Sequence, residues 1–221
     1  MITLGNRRVF APLRLCVKLF SARRALNDYA THIPILIGLA RLRDVRSVLE
    51  FGCGRYSTLT FLNRSAFPHL ERLHSIENDD AWAHTIEEAA GNDLRWRLQV
   101  VKREISESVA ELDLESFDLI LIDDSKISEQ RCATIRAVAA KEPKHPWIVI
   151  HDFEFGEYRR AASAFQHRHR FRAYNPETGV VGNRLDQWKT LDGVIRSKAK
   201  LLEPDAIAQW IDSYRVASDG S

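Results

Sequence analysis

Ser47-Val-Leu-Glu-Phe51, running straight into Gly52-Cys-Gly-Arg-Tyr-Ser-Thr58, is the stretch on which the fold turns. Five largely apolar residues with β-branched character read as a short strand, and the glycines break it. Leu59, Phe61 and Leu62 then supply the apolar side of a helix. Strand, glycine turn and helix in that order form the opening unit of a nucleotide-binding α/β fold. Missing side chains at Gly52 and Gly54 let a ligand approach the backbone, and the first turn of the helix offers free N–H groups. Ser57 stands where a dinucleotide fingerprint places its third glycine, and no Gly-Lys-Ser or Gly-Lys-Thr follows, which excludes a nucleoside triphosphate loop.

Outward from this unit the same alternation repeats. A second strand is expected at Arg72–Ile76, followed by Glu77-Asn-Asp-Asp80, which is suited to cap a helix beginning near Asp80 or Ala81. In that helix Trp82, Ile86 and Ala89 are expected to face the sheet, and Gly91-Asn-Asp93 to close it. Trp96–Val101 reads as a third strand. Phe117-Asp-Leu-Ile-Leu-Ile122 reads as a strand buried on both faces and ends in Asp123-Asp124; Trp147–Ile150 reads the same way and ends in His151-Asp152. Between them a helix is expected from a Ser128 cap to about Ala140, with Cys132, Ile135 and Val138 or Ala139 inward. Past Glu157 a helix to about His167, a strand over Arg170–Tyr174, a turn at Asn175–Gly179 and a hairpin mate at Val180-Val181 are expected, with Trp188–Leu191 an alternative last strand. The reading is a doubly wound α/β fold: a mostly parallel sheet, helices on both faces, an antiparallel edge. In such sheets, residues just beyond the strands' carboxyl ends line the ligand crevice.

The 221 residues suffice for one core, with 45% hydrophobic and 28% charged residues, an ordinary globular balance. The net charge of +2 gives no reason to expect a nucleic-acid partner. The run Arg168-His-Arg-Phe-Arg172 could contact RNA or protect a sheet edge from pairing. Cys16, Cys53 and Cys132 are too few and too scattered for a disulfide framework or zinc cluster, so a reducing, cytoplasmic setting is expected. Val9, Leu13, Val17, Phe20 and Leu26 could form one apolar stripe, but Arg14 and Lys18 interrupt any membrane span. The expected organisation is a helical cover or homo-oligomerisation segment over residues 1–30, a ligand-binding domain over 31–194, and a helical extension over 195–221 that includes Pro204–Val216.

Glu77 lies 23 positions after Gly54, at the end of the second strand, where a carboxylate can accept hydrogen bonds from the ribose hydroxyls of an adenosine ligand; a helix-capping role is the plain alternative. Taken together, Val48–Thr58, Ser75–Trp82, Phe117–Asp124 and Ile148–Asp152 resemble the ordered landmarks of class I S-adenosylmethionine-dependent methyltransferases. The resemblance covers roughly Thr31 to Val181 and implies a Rossmann-like methyltransferase domain with S-adenosylmethionine as cofactor. It implies that Glu50, Gly52 and Gly54 surround the methionine part, that Ser57 and Thr58 stabilise the loop or the next helix, and that Glu77 holds ribose. It places Asn78 and Trp82 beside the adenosine, Asp123 near the sulfonium and acceptor, and Thr31 and His32 as a closure from the preceding segment.

Methyl transfer asks the protein to align nucleophile and methyl and to remove a proton. Asp123, Asp124, His151 and Asp152 are available for that second task, and histidine has the pKa suited to it near neutrality. The expected reaction is methylation of a hydroxyl of a small metabolite or sugar-containing compound. The alternatives are nitrogen methylation of a small amine, or a non-catalytic S-adenosylmethionine-binding sensor or accessory subunit; a dehydrogenase is disfavoured by Ser57 and by the paired strand-end acids. Asp123, Asp124 and Asp152 could converge on magnesium, but Phe153 stands where similar metal-dependent enzymes carry Asn, so a metal-free site is preferred.

Overall fold

The strand that opened the reading, β1 (Ser47–Phe51), is an interior strand, third from one edge of a seven-stranded sheet, in the computed structural model. Residues 28–172 and 174–183 are described. The other strands are β2 (Arg72–Glu77), β3 (Trp96–Val100), β4 (Leu119–Ile122), β5 (Trp147–Ile150), β6 (His167–Phe171) and β7 (Thr178–Gly182), arranged β3-β2-β1-β4-β5-β7-β6. The first five run parallel, while β7 pairs antiparallel with β5 and with β6. Phe51 pairs with Ile76 on one side and Ile122 on the other, and Ile122 pairs with Ile150. That register delivers Gly52, Glu77, Asp123 and His151 to one end of the sheet. Because β1 neighbours both β2 and β4, the strand order reverses there and leaves the crevice expected of a doubly wound sheet.

Burial on both faces explains the continuous apolar runs. Val48, Leu119, Leu121 and Val149 point to a core shared with α1 (Ile33–Leu42) and with Phe61 of α2 (Thr58–Leu62). Leu49, Ile120, Ile122, Ile148 and Ile150 point to the other, shared with α4 (Ile105–Ser108), α5 (Ser128–Ala140) and α6 (Gly156–Ala161). The remaining helix, α3 (Asp80–Ala90), follows β2. Gly52 has φ +84°, and an added Cβ would lie 2.5 Å from the Asp123 carbonyl oxygen. Only glycine permits that close approach of the β1 and β4 ends. No helix among the described residues is long and apolar enough to cross a membrane.

Several expectations need correction. Asp79 caps α3 by accepting from the Trp82 N–H, and the phase this sets buries Ala83 and Ile86 while Trp82 remains 43% exposed. Ser128 is the first residue of α5 rather than its cap; the cap position is Ile127, whose N–H is held by the Ser125 hydroxyl. The helix expected to reach His167 ends at Ala161 and gives way to a 3-10 turn, Ala162–Ala164. His167 instead begins β6, since pairing with β7, a long-range contact, outweighs the local helical pattern. The Val9–Leu26 stripe, the alternative strand at Trp188–Leu191 and the helix at Pro204–Val216 lie outside the described residues.

Candidate active site

Two groups of side chains meet where Gly52 touches the β4 end. The first surrounds the glycine loop. Glu77, at the end of β2, accepts from the N–H groups of Asn78 and Asp79 at 2.8 and 2.9 Å through one oxygen, and from the Cys53 N–H at 3.1 Å through the other. Burial pushes its carboxyl above the usual range despite these donors. Trp82 donates its indole N–H to the Cys53 carbonyl at 2.7 Å, which lays the exposed ring over the loop. Thr58 accepts from the Gly54 N–H at 3.0 Å and donates to Glu50 at 2.8 Å, while the Ser57 hydroxyl makes a long contact of 3.5 Å to the Gly54 carbonyl. Ser75 donates to the same Glu50 oxygen at 2.5 Å. Glu50 is fully buried, burial lifts its pKa to about 7, and its second oxygen has no partner. Such an orphaned acceptor in a buried site suits a cationic or N–H-bearing ligand group. Asn78 contributes its backbone to this arrangement, and its side chain is exposed.

The second group gathers at the ends of β4 and β5. His151 is 3% exposed and lies between Thr31, whose hydroxyl is 3.0 Å from Nε2, and Asp123, whose Oδ2 is 3.3 Å from Nδ1. Asp152 approaches the same Nδ1 at 3.6 Å. Burial pulls the His151 pKa down, but the charge and hydrogen bond of Asp123 outweigh it and hold the imidazole above its ordinary value. Burial likewise opposes ionisation of Asp123, yet His151 and Arg131 together hold it well below the usual carboxylate range. His32 meets the His151 ring edge to face at 4.7 Å; burial, with the charge of His151, lowers its pKa to about 3, and neither ring nitrogen has a partner. A neutral imidazole with free nitrogens facing this cluster is unused hydrogen-bonding capacity.

Arg131 was not anticipated from the sequence. It projects from α5 with its side chain 4% exposed, bonding Asp123 at 2.7 Å and Asp152 at 2.8 Å. The available signal was its spacing: Arg131, Ile135 and Val138 share the inward face of the helix, where a charge needs a buried partner. In this arrangement the three aspartates weighed as magnesium ligands each have another partner. Arg131 already neutralises Asp123 and Asp152, and Asp124 turns into the core to accept from the Thr134 hydroxyl at 2.5 Å, with burial raising its pKa to about 6. Of the residues singled out, Glu50, Gly52, Gly54, Ser57, Thr58, Glu77, Asn78 and Trp82 thus gather at the loop, and Thr31, His32, Asp123, His151 and Asp152 gather at the strand ends. A ligand atom from each of His32, Asp123 and His151 lies within 4.8 Å of the others. Both ring nitrogens of His151, however, are already engaged by Thr31 and Asp123.

Residues 49–153 match the model of a family described as a methyltransferase domain. No curated protein matches the sequence significantly. Among solved structures, cofactor-bound Rv0187 from MTB is similar with a TM-score of 0.54 and 18% identity, covering 83% of this chain and 100% of that one. Spermidine synthase from Thermotoga maritima gives 0.52 and 16%, covering 76% of this chain; the chain spans only 62% of that synthase. A Staphylococcus aureus protein described as a caffeoyl-CoA O-methyltransferase gives 0.52 and 12%, covering 79% and 92%. At these identities the likeness is one of fold.

Proposed function

We propose, on the premise that residues 49–153 are a class I S-adenosylmethionine-dependent methyltransferase domain, that this protein methylates a hydroxyl of a small metabolite or sugar-containing compound, with His151 removing the hydroxyl proton. The observation that carries the reading is the buried imidazole of His151 between Thr31 and Asp123. The residues fit the cofactor. The unpartnered Glu50 oxygen suits the ammonium of its methionine part, the side-chain-free surface at Gly52 and Gly54 suits close approach, and ribose hydroxyls at Glu77 would take the place of its weak 3.7 Å contact from the Cys53 thiol. Bound there, S-adenosylmethionine supplies an activated methyl group on a sulfonium.

The chain's own task is to make the acceptor oxygen nucleophilic. Asp123 accepts from the Nδ1–H of His151 and so selects the tautomer whose Nε2 is free to take a proton. The Thr31 hydroxyl, 3.0 Å from that Nε2, holds the place of an acceptor hydroxyl and must give it up when the acceptor binds. When Nε2 takes the proton, the imidazolium is stabilised by Asp123, and Arg131 keeps Asp123 ionised throughout. Thr31 and His32 cover the imidazole from the chain segment before α1, leaving it 3% exposed, and so exclude bulk water from it.

The test is formation of S-adenosylhomocysteine across a panel of small hydroxyl and amine compounds. With a hydroxyl acceptor, kcat/KM should rise with pH through the His151 pKa, which lies above the ordinary 6.5, because only the neutral imidazole accepts a proton. His151→Asn should lower kcat by roughly 10²–10⁴-fold with cofactor affinity nearly unchanged. Full activity of H151N, or turnover of amines alone, would overturn the hydroxyl reading.

A further inference from the structure

On the α5/α6 face of the sheet, a cavity of about 550 Å³ lies between α6 and the edge strand β6. Four of its lining residues are arginines: Arg159 and Arg160 from the last turn of α6, and Arg168 and Arg170 from alternate positions of β6, hence from one side of that strand. Among the described residues only Arg170 pairs with a carboxylate, that of Glu177. Arg159 donates to the backbone carbonyls of Phe153 and Glu154, and Arg168 to that of Ser163 at 2.7 Å. These bonds orient two guanidinium groups without neutralising them. Protection of an edge strand accounts for Arg168 and Arg170, but not for two further arginines on a helix. Glu177 offsets one of the four charges, and the positive charge that is left around the cavity favours an anion with several oxygens.

We propose that this cavity binds the phosphate or diphosphate group of a phosphorylated small molecule, the methyl acceptor; the acceptor role rests on the methyltransferase reading above. Guanidinium forks match phosphate oxygens in pairs. The position is apt, because the lining residue Phe153 directly follows Asp152 of the active-site cluster. Single-stranded RNA is less suited to it, since such grooves interleave positive charge with exposed aromatic faces, and the one aromatic here, Phe153, is 2% exposed.

The experiment is calorimetric titration of the full chain with inorganic pyrophosphate at low salt, with S-adenosylhomocysteine titrated in parallel. One pyrophosphate should bind below millimolar concentration. The double variant R160Q/R168Q should weaken it at least about tenfold, and Arg160→Gln alone at least about threefold, with S-adenosylhomocysteine affinity unchanged. The single variant keeps the test decisive if the double one misfolds, because Arg160 makes no side-chain hydrogen bond among the described residues. Absence of pyrophosphate binding, or equal binding by folded variants, would overturn the cavity assignment. Tighter binding of an oligouridylate that displaces pyrophosphate would overturn it in favour of RNA. Failure of the wild type to bind S-adenosylhomocysteine while pyrophosphate still binds would remove the acceptor role and leave the anion site standing.

Discussion

Glu77 joins two pieces of backbone: the glycine loop, through the Cys53 N–H, and the turn into α3, through the N–H groups of Asn78 and Asp79. A ribose hydroxyl would therefore meet a carboxylate that is already held in place. Glu77→Gln replaces one acceptor oxygen by an amide that faces N–H donors. The expected consequence is twofold: a stability loss of about 1–3 kcal/mol in urea unfolding, and cofactor binding weakened by roughly tenfold or more. Calorimetry with S-adenosylhomocysteine on the folded variant reads the second effect, and an unchanged dissociation constant would confine Glu77 to its structural role. From sequence, the position of Glu77 after a strand was legible. Its three backbone partners were not, because they depend on how the loop and the turn approach each other.

At the scale of elements, α5 does more than cover the sheet. Its inward face carries Cys132, Ile135 and Val138 into the core and, one turn nearer the site, presents Arg131 to Asp123 and Asp152. Arg131→Met keeps the apolar stem but leaves two carboxylates, each about a quarter exposed, without their shared cation. The expected loss at pH 7 is about 2–3 kcal/mol, below the cost for a fully buried pair. The sign of its pH dependence follows from Asp123. A carboxyl held below its unfolded pKa contributes stability that is present above that value and is lost as pH falls through the folded one. Arg131 supplies part of that contribution, so the gap between wild type and variant should hold from pH 7 to about pH 4 and narrow from there to about pH 2. Urea midpoints across both ranges measure it, and a gap that stays constant below about pH 4 would mean that Arg131 acts through packing alone. The strands β1 and β5 were readable to the residue, whereas the α6–β6 boundary was misread because antiparallel pairing with β7 decides it.

For the molecule as a whole, a ligand that binds only the folded chain must raise its melting temperature. S-adenosylhomocysteine at about 100 times its dissociation constant should add about 2.7 kcal/mol, and for a chain of this size that corresponds to a rise of roughly 5–10 °C. NAD at the same concentration should leave the transition unmoved, since Ser57 interrupts the dinucleotide fingerprint and the acids and His151 crowd the strand ends. Differential scanning fluorimetry distinguishes the two ligands, and an equal shift with NAD would overturn the methyltransferase reading of the crevice.

What the sequence by itself determined is the order of elements, the sheet type and which polar residues stand at the strand ends. Apolar periodicity, glycine turns and helix caps act over a few residues, so they are written locally. Only the tertiary structure decided which strand-end groups work together. Thr31 reaches His151 across 120 positions, Arg131 closes on two aspartates from a helix that looked merely amphipathic, and Asp124 leaves its neighbour to bond Thr134 in the core. Burial imposes those pairings: a charge or donor carried inside by the packing of its element must find a partner there, and the partner's identity depends on which elements meet.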